Sequence, residues 1–341
     1  MTTRDKKICG INGCDEYAVA HSAHCWDHTQ DKEGYSAKLL EAAAKNKDLR
    51  RSNLKKVVLK KTLFEGVDFT GSDLSQADIS ESHFFNSIFK EASFIGTEMS
   101  LCDFTHCDLT GADLTKARIS GAHLWNSDLS SANLTESDLS SADLWNARLF
   151  DVKLWHADLK NVKSLSKFSF ARGEGILPAC RLNEAGEISA EESYRQIKQS
   201  FTENGKYNDA SWASFKEKTM ERRILSKNKK LDYLPSAIMN LLCGYGEKPY
   251  RIILSAFFCI LAFAFAYRSL NAIESIAYPG SNLGWFDYIY YSAITYTTVG
   301  YGDFIPKPNG LFRLLAACEA FLGVFLAGLF VFTLARKYSA R

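Results

Sequence analysis

The sequence predicts a multidomain fold: a coiled rod that turns a corner every five residues, then an all-α membrane module. Three observations carry that expectation. Large apolar residues recur at every fifth position from Phe64 to Leu159. Two apolar stretches near the C-terminal end flank a short aromatic segment and the run Thr297-Thr298-Val299-Gly300-Tyr301-Gly302-Asp303. Three cysteines and a histidine cluster within the first 28 residues. The 341 residues suit two or three domains, and a mean hydropathy of −0.16 makes most of the chain water-soluble, with only the last quarter membrane-like.

Met1 to His28 is polar, without the basic start and apolar core of a secretory leader, so the N-terminus is expected in the cytoplasm. In that reducing compartment the nine cysteines read as metal ligands or small buried residues before disulfides. Cys9, Cys14, Cys25 and His28 have the spacing C-x4-C-x10-C-x2-H, which brings two ligand pairs together as tetrahedral zinc requires. Gly10 and Gly13 supply permissive backbone inside the first pair. His21 and His24 are alternative fourth ligands. Four protein ligands leave no open position for water, so the expected zinc is structural. Residues 1–30 therefore read as a knuckle and residues 31–61, charged with interspersed Ala and Leu, as a helical connector. Cys180, Cys243, Cys259 and Cys318 have no obvious partners.

The five-residue period runs through Phe64, Phe69, Leu74, Ile79, Phe84, Phe89, Phe94, Met99 and Phe104 to Leu149, Leu154 and Leu159. Neither a 3.6-residue helix nor a period-2 strand keeps one face with a step of five. Two positions before each large residue stands Ala, Ser, Thr, Cys or Val, as in Ser72-Asp73-Leu74. This pattern, over residues 62–165, resembles the pentapeptide-repeat family. The resemblance implies a right-handed quadrilateral β-helix with four repeats per turn, both the large and the small residues pointing inward. Cys102 and Cys107 fall at small positions and read as packing residues. From Leu63 to Lys160 there are sixteen Asp or Glu against six Lys or Arg, so the rod carries about −10. In some members of that family an acidic rod mimics DNA on a topoisomerase, which makes a DNA-mimic or partner-binding scaffold the competing function. The chain's net charge of +2 gives no reason to expect nucleic-acid binding.

The register is expected to stop after Leu159, where Ser164 takes the next apolar place, and Asn183 to Gly186 marks a polar break. Residues 186–247 read as a helical hairpin and interfacial linker, with helical spacing over Ile188 to Asn204 and Ala210 to Asn228 and Gly205 between. Arg222, Arg223, Lys227, Lys229 and Lys230 precede the apolar stretch Leu231 to Leu242. This combination suits either a slide helix on anionic lipid or a solvated helix end. Gly244-Tyr245-Gly246 lacks a preceding Thr-Val and reads as a turn into the membrane.

Residues 248–341 resemble the pore module of two-transmembrane prokaryotic potassium channels: a span at 251–270, a pore helix at 285–297, a filter at 298–302 and a second span at 311–335. TVGYG is the usual illustration of selectivity by backbone carbonyls that replace the hydration shell of K+. The resemblance implies that carbonyls of Thr298, Val299, Gly300, Tyr301 and Gly302 coordinate K+, one chain supplying a quarter of each ring, hence a homotetramer. It gives Thr297 and Asp303 supporting roles and makes Tyr290, Tyr291 and Tyr301 a cuff around the filter. Asp303 has no carboxylate partner here, since Ile294 holds the corresponding pore-helix position. Gly323, with Gly328 one step on, reads as an inner-helix hinge or as a site of close helix packing. Glu319, ionisable within a span, is expected to bond pore-helix hydroxyls. Basic residues before the first span and after the second put both termini inside a bacterial inner membrane. No arginine-rich voltage-sensing span is present, and no base, nucleophile and oxyanion grouping suggests an enzyme. The cytoplasmic part is expected to regulate or assemble the pore.

Overall fold

In this computed structural model, residues 7–172, 179–180, 187–228 and 230–339 are described. They form two compact units, Met1–Ile224 and Leu225–Arg341.

The first unit is built on the five-residue period. Parallel bridges join one residue of each pentapeptide to the one twenty positions on, from Asp48↔Asp68 through Asp73↔Ser93 to Asp143↔Lys163, so each coil holds four pentapeptides. The ladder bonds follow the same offset, as in Leu74 N–H to the Ser93 carbonyl (2.8 Å) and Asp73 N–H to that of Ser52 (3.0 Å). At most corners the small residue's amide returns to the preceding large residue's carbonyl, as Ala77 to Leu74 at 3.0 Å. The residue before it takes a left-handed conformation and is mostly glycine (Gly71, φ 66°) or a polar residue such as Gln76 (φ 59°), with Leu101 (φ 59°) an exception. The outward residue before each large one is often Asp for a local reason. Its carboxylate accepts the amide two residues on, as Asp68 from Thr70 (2.9 Å) and Asp128 from Ser130 (2.9 Å), which fixes the corner. Acidic composition here is turn chemistry as well as solvation.

Large and small residues alike are buried along the axis. The phenylalanines stack at the twenty-residue offset: Phe64 on Phe84 at 5.2 Å, Phe69 on Phe89 at 4.7 Å, Phe84 on Phe104 at 5.1 Å. Cys102 and Cys107 are buried in small positions, where burial first of all pushes both thiols up to about 12. They pack and do not react. Phe89→Ala should cost about 3–5 kcal/mol, because rigid coils above and below cannot close on the void. Denaturant titration of the full chain would measure it, and a loss under about 1 kcal/mol would show a core able to collapse.

The rod begins earlier than the sequence pattern predicts. The helix of the connector, α1 (Lys32–Asn46), ends where Lys47 turns left-handed (φ 48°), and residues 48–61 already form coil, with Leu49, Leu54 and Leu59 continuing the buried column. Basic residues at exposed corners, Arg51, Lys56 and Lys61, give this first coil the composition of a charged helix. At the far end the ladder continues to Lys163. Leu165, one position late, fills the place that Ser164 cannot.

Both ends of the stack are covered, as an open coil of unpaired amides and apolar side chains requires. At one end α1 buries Tyr35, Leu39 and Ala43, and the N-terminal knuckle bonds to the first coil through Ala20 N–H to the Asn53 carbonyl (2.8 Å) and Lys56 to Asp27 (2.5 Å). At the other end stand a 3-10 turn (Lys167–Phe170), the short antiparallel pair β1 (Ala171–Arg172) and β2 (Ala179–Cys180), and a hairpin of α2 (Glu187–Glu203) and α3 (Tyr207–Asn228). Gly205 turns the hairpin at φ 68°. Its apolar face, Tyr194, Ile197, Phe201 and Met220, joins the rod core, with Phe170 stacked on Trp212 at 5.7 Å. Glu217, 7 % exposed at its side chain, holds α3 to α2 through Arg195 (3.2 Å) and Lys198 (2.9 Å). The polar break at 183–186 lies outside the described residues.

The second unit contains α4 (Lys230–Cys243), α5 (Tyr250–Leu270), β3 (Ile273–Ser275), α6 (Trp285–Tyr296), β4 (Phe304–Pro306) and α7 (Gly310–Ser339). Gly244, Tyr245 and Gly246 are all left-handed and form the turn between α4 and α5, far from any filter-like geometry. Helix α4 turns Leu234, Ile238 and Leu241 outward at i, i+4 and i+7, and packs Met239, Leu242 and Cys243 against Ile252 and Leu326. Two helical stretches, Tyr250–Leu270 and Gly310–Ala335, are long and apolar enough to cross a bilayer, and only 17 % of each is buried within the chain. Phe257, Phe258, Phe265, Leu314 and Phe321 lie more than half exposed, an apolar surface that lipid or further copies must cover. The side chains of Lys227, Lys229, Lys230, Arg336, Lys337 and Arg341 lie outside those described.

Candidate functional site

The segment after α6 is the most unusual backbone in the second unit. Thr298 (φ 56°), Gly300 (φ 53°) and Gly302 (φ 80°) are left-handed and alternate with Val299 and Tyr301. Alternation between left- and right-handed residues turns successive carbonyls toward the same side. A peptide of ordinary strand geometry points them to opposite sides in turn. Two glycines carry this at little cost, but Thr298 has a Cβ, and its left-handed conformation is strained by about 1–2 kcal/mol. The Thr298 hydroxyl donates to the Thr297 carbonyl (2.7 Å).

The segment is anchored to the end of α6 by backbone. The Ile294 carbonyl accepts from Val299 N–H (2.9 Å) and Gly300 N–H (3.3 Å), and Thr297 bonds back to the Ala293 carbonyl through both its amide (3.0 Å) and its hydroxyl (2.7 Å). Ile294, which has no side-chain carboxylate, thus anchors Val299 and Gly300 by its main chain. At the outer end Asp303 interacts with the Tyr290 hydroxyl, and Tyr290 lies edge-on to Phe304 at 5.9 Å. Strands β3 and β4 pair antiparallel beside this segment with Glu274 opposite Ile305, a feature without a sequence signal beyond three residues on each side.

The three cuff candidates do not act alike within one chain. Tyr301 is 73 % exposed and Tyr290 38 %, whereas Tyr291 is buried with its ring edge-on to Tyr267 at 5.0 Å. Tyr291 turns back onto α5, because neighbouring residues on a helix are about 100° apart and cannot share a face. Gly323 sits where α7 crosses the end of α6: a Cβ there would collide with the Tyr296 carbonyl oxygen, so close packing accounts for this glycine. Gly328 has nothing within 4 Å of an added Cβ.

Glu319 is fully buried at the junction of three helices. The Tyr267 hydroxyl of α5 donates to Oε2 at 2.7 Å, and the Ser292 hydroxyl of α6 donates to Oε1. Ser292 also lies 2.9 Å from the Ile260 carbonyl. The pore-helix hydroxyl is the partner expected from the sequence. Tyr267, 52 positions away, was beyond sequence reasoning. Arg268 stacks over the Trp285 ring at 5.1 Å, a further tie between α5 and α6.

In the first unit the knuckle brings Cys9, Cys14, Cys25 and His28 together, their ligand atoms all within 4.8 Å of one another. Cys14 and Cys25 sulfurs are 3.8 Å apart, and His28 Nδ1 lies 3.2 Å from the Cys25 sulfur and 3.5 Å from that of Cys9. Four donors around one tetrahedral ion with bonds of about 2.0–2.3 Å stand at such separations. His21 and His24 are outside the group. Burial raises the Cys9 thiol, but hydrogen bonds from the Cys25 and Ile11 backbone and the His28 side chain bring it down to about 6, so it offers a thiolate near neutrality.

Comparison with known proteins bears on both units. Residues 255–340 match the family model described as ion channel, and residues 48–84, 87–126 and 127–163 match that of pentapeptide repeats, in eight copies. The chain therefore joins an ion-channel segment of the two-transmembrane type to a pentapeptide-repeat domain. Among solved structures it is similar to a pentapeptide repeat protein of the Arabidopsis thaliana thylakoid lumen, at 31 % identity over 28 % of this chain and 66 % of that one, TM-score 0.27. It thus spans just under two thirds of that relative. It is also similar to Rfr23 of the cyanobacterium Cyanothece 51142, at 21 % identity over 37 % and 93 % of the two chains, TM-score 0.23. A third is HetL of Nostoc sp. strain PCC 7120, at 26 % over 37 % and 70 %, TM-score 0.16. No curated protein matches the sequence.

Proposed function

We propose that the protein is a homotetrameric potassium-selective channel of a bacterial inner membrane, passing K+ passively, with both termini cytoplasmic and a repeat domain that regulates or assembles the pore. The observation that carries the reading is the alternating left-handed backbone at Thr298, Gly300 and Gly302, supported by the ion-channel match over 255–340. Carbonyls of Thr298, Val299, Gly300, Tyr301 and Gly302 from four chains form the ion sites, and Thr297, Tyr290, Tyr301 and Asp303 hold them. Tyr291 supports the filter at one remove, through α6. Gly323 and Gly328 are the places where α7 would bend, Gly323 also serving the contact with Tyr296. The outward Leu234, Ile238 and Leu241 of α4 suit an interfacial helix lying on lipid.

The coils are right-handed in this reading, the hand that parallel connections overwhelmingly take. Purified protein in liposomes with K+ inside and Na+ outside tests the function: a potential near the K+ equilibrium value is expected. Equal permeability to Na+ would refute selectivity.

The knuckle residues Cys9, Cys14, Cys25 and His28 would hold a structural zinc, which would fix the turn that covers the first coil. The intact protein should then contain one zinc per chain. Cys25→Ser should lose it and lower the melting temperature, and no metal in wild type would dismiss the site.

A further inference from the structure

One side of the rod carries two tryptophans one coil apart, Trp125 and Trp145, which are 39 % and 55 % exposed with ring centroids 6.4 Å apart. Phe85 stands in the same outward column two coils before Trp125, beside the His83 ring at 5.7 Å. On another side of the rod the matching places hold Ser80, Ser100, Ser120 and Ser140, so the coil itself asks for no aromatic there. A strip of aromatic rings open to water marks an interaction surface. The covers at the two ends of the rod leave it open. Helix α2 borders the rod at His156 to Lys160, and the knuckle bonds to it at Asn53, Lys55 and Lys56.

The second outward column of this side runs Leu63, His83, Asp103, His123, Asp143 and Lys163. Elsewhere on the rod a cation pairs with a carboxylate of the adjacent coil, as Lys60 with Asp78 (2.8 Å), Lys90 with Asp108 (3.1 Å) and Arg118 with Glu98 (3.3 Å). Lys163 at one end of the strip and Glu65 at the other make no ion pair among the described residues. A strip with a free cation at one end and a free anion at the other is its own complement when a second copy lies against it head to tail. A two-fold axis across the strip, between the coils of Asp103 and His123, sets every coil opposite another. Lys163 then meets Leu63 and Glu65 of the second copy, Asp143 meets His83, Asp103 meets His123, and Trp145 meets Phe85, each contact occurring twice. Faces packed about 10 Å apart are within reach of these side chains. Two rods running the same way would set each residue against its own coil in the other copy and leave both end charges unpaired.

We propose that this strip joins two copies of the chain with their rods antiparallel, Trp145 and Phe85 forming the apolar anchors and Lys163 and Glu65 the ion pairs at both ends. The pairing is read from the repeat unit alone and stands whatever the pore conducts.

Carbodiimide, which condenses an ammonium and a carboxylate in contact into an amide, tests this on the full chain in detergent, with peptide mapping of the products. Lys163 and Glu65 of one chain stand five coils apart, about 24 Å, so an amide between them forms only between copies. That amide is expected in covalent dimers, beside the Lys90 to Asp108 amide that the folded chain gives by itself. Trp145→Ser should lower the dimer yield at least about tenfold and leave the Lys90 to Asp108 product unchanged, as serine is at home in the matching places. Lys163→Glu should abolish the dimer, and Glu65→Lys/Lys163→Glu should restore it. The Lys90 to Asp108 product without the Lys163 to Glu65 product overturns the proposal. So does a dimer yield unmoved by Trp145→Ser, or a double variant that fails to restore the dimer.

Discussion

Gly300→Asp is expected to reduce K+ flux in liposomes to background, at least about 100-fold below wild type, while the protein still folds and assembles. Gly300 has φ 53° and nothing within 4 Å of an added Cβ, so the loss does not come from a clash. It comes from conformation and charge. A residue with a Cβ in the left-handed region is disfavoured by about 1–2 kcal/mol, and four chains meet that cost in one ring. Thr298, two residues earlier, already carries such strain (φ 56°), so the segment has little tolerance for more. A carboxylate beside the carbonyl ring then places up to four negative charges at one level, which holds cations too tightly for passage. Size and thermal unfolding of the variant should match wild type, because Gly300 makes only one amide bond to α6, at 3.3 Å. Flux within about threefold of wild type would show that ions do not pass by this segment.

Much of this architecture was legible because it rests on periodicity. A step of five in large residues excludes helix and strand, and the bridges at twenty-residue offset agree with the four repeats per turn that the resemblance to pentapeptide repeats implies. The rod's first coil was missed because its apolar column, Leu49, Leu54 and Leu59, is diluted by lysines and arginines at exposed corners. These have the composition of a charged helix, and only the step of five distinguishes them. The register was expected to stop after Leu159, whereas the ladder runs on to Lys163 and Leu165 reaches the core from a shifted position, which a rigid register cannot foresee. The four knuckle residues, His28 among them, were legible from spacing, and the geometry leaves the alternatives His21 and His24 outside the group.

What stayed hidden depends on contacts distant in sequence. Ile294 looked like a missing interaction, because sequence shows only side chains. Its carbonyl bonds the Val299 and Gly300 amides, so the main chain supplies an anchor that no residue type reveals. The separation of Tyr290 from Tyr291 follows from helix geometry and could have been drawn from the sequence, since adjacent residues cannot line one face. The antiparallel pairing of β3 with β4 joins residues about thirty positions apart through backbone bonds, with three residues per strand and no alternation to read.

Glu319→Leu is expected to be the most destabilising single change in the second unit. The carboxylate accepts hydroxyls from α5 and α6 while standing on α7, so it is the one described residue that bonds side chains of both other helices. Leucine nearly conserves the volume and removes the acceptor, which strands the Tyr267 hydroxyl and reduces Ser292 to the Ile260 carbonyl at 2.9 Å. Each buried polar group left unpaired costs about 1–3 kcal/mol, giving roughly 2–6 kcal/mol if both are lost and nearer the lower figure if Ser292 keeps its second acceptor. Glu319→Gln retains one acceptor oxygen and should lose less. Tyr267→Phe removes the stranded hydroxyl, so the double variant Tyr267→Phe/Glu319→Leu should be more stable than Glu319→Leu alone, a non-additivity that reports direct contact. Thermal unfolding of the four proteins in one detergent would decide it. A double variant less stable than Glu319→Leu would mean that the tyrosine ring positions α5 by packing on Tyr291 at 5.0 Å, and that the hydroxyl–carboxylate bond contributes little to the helix junction.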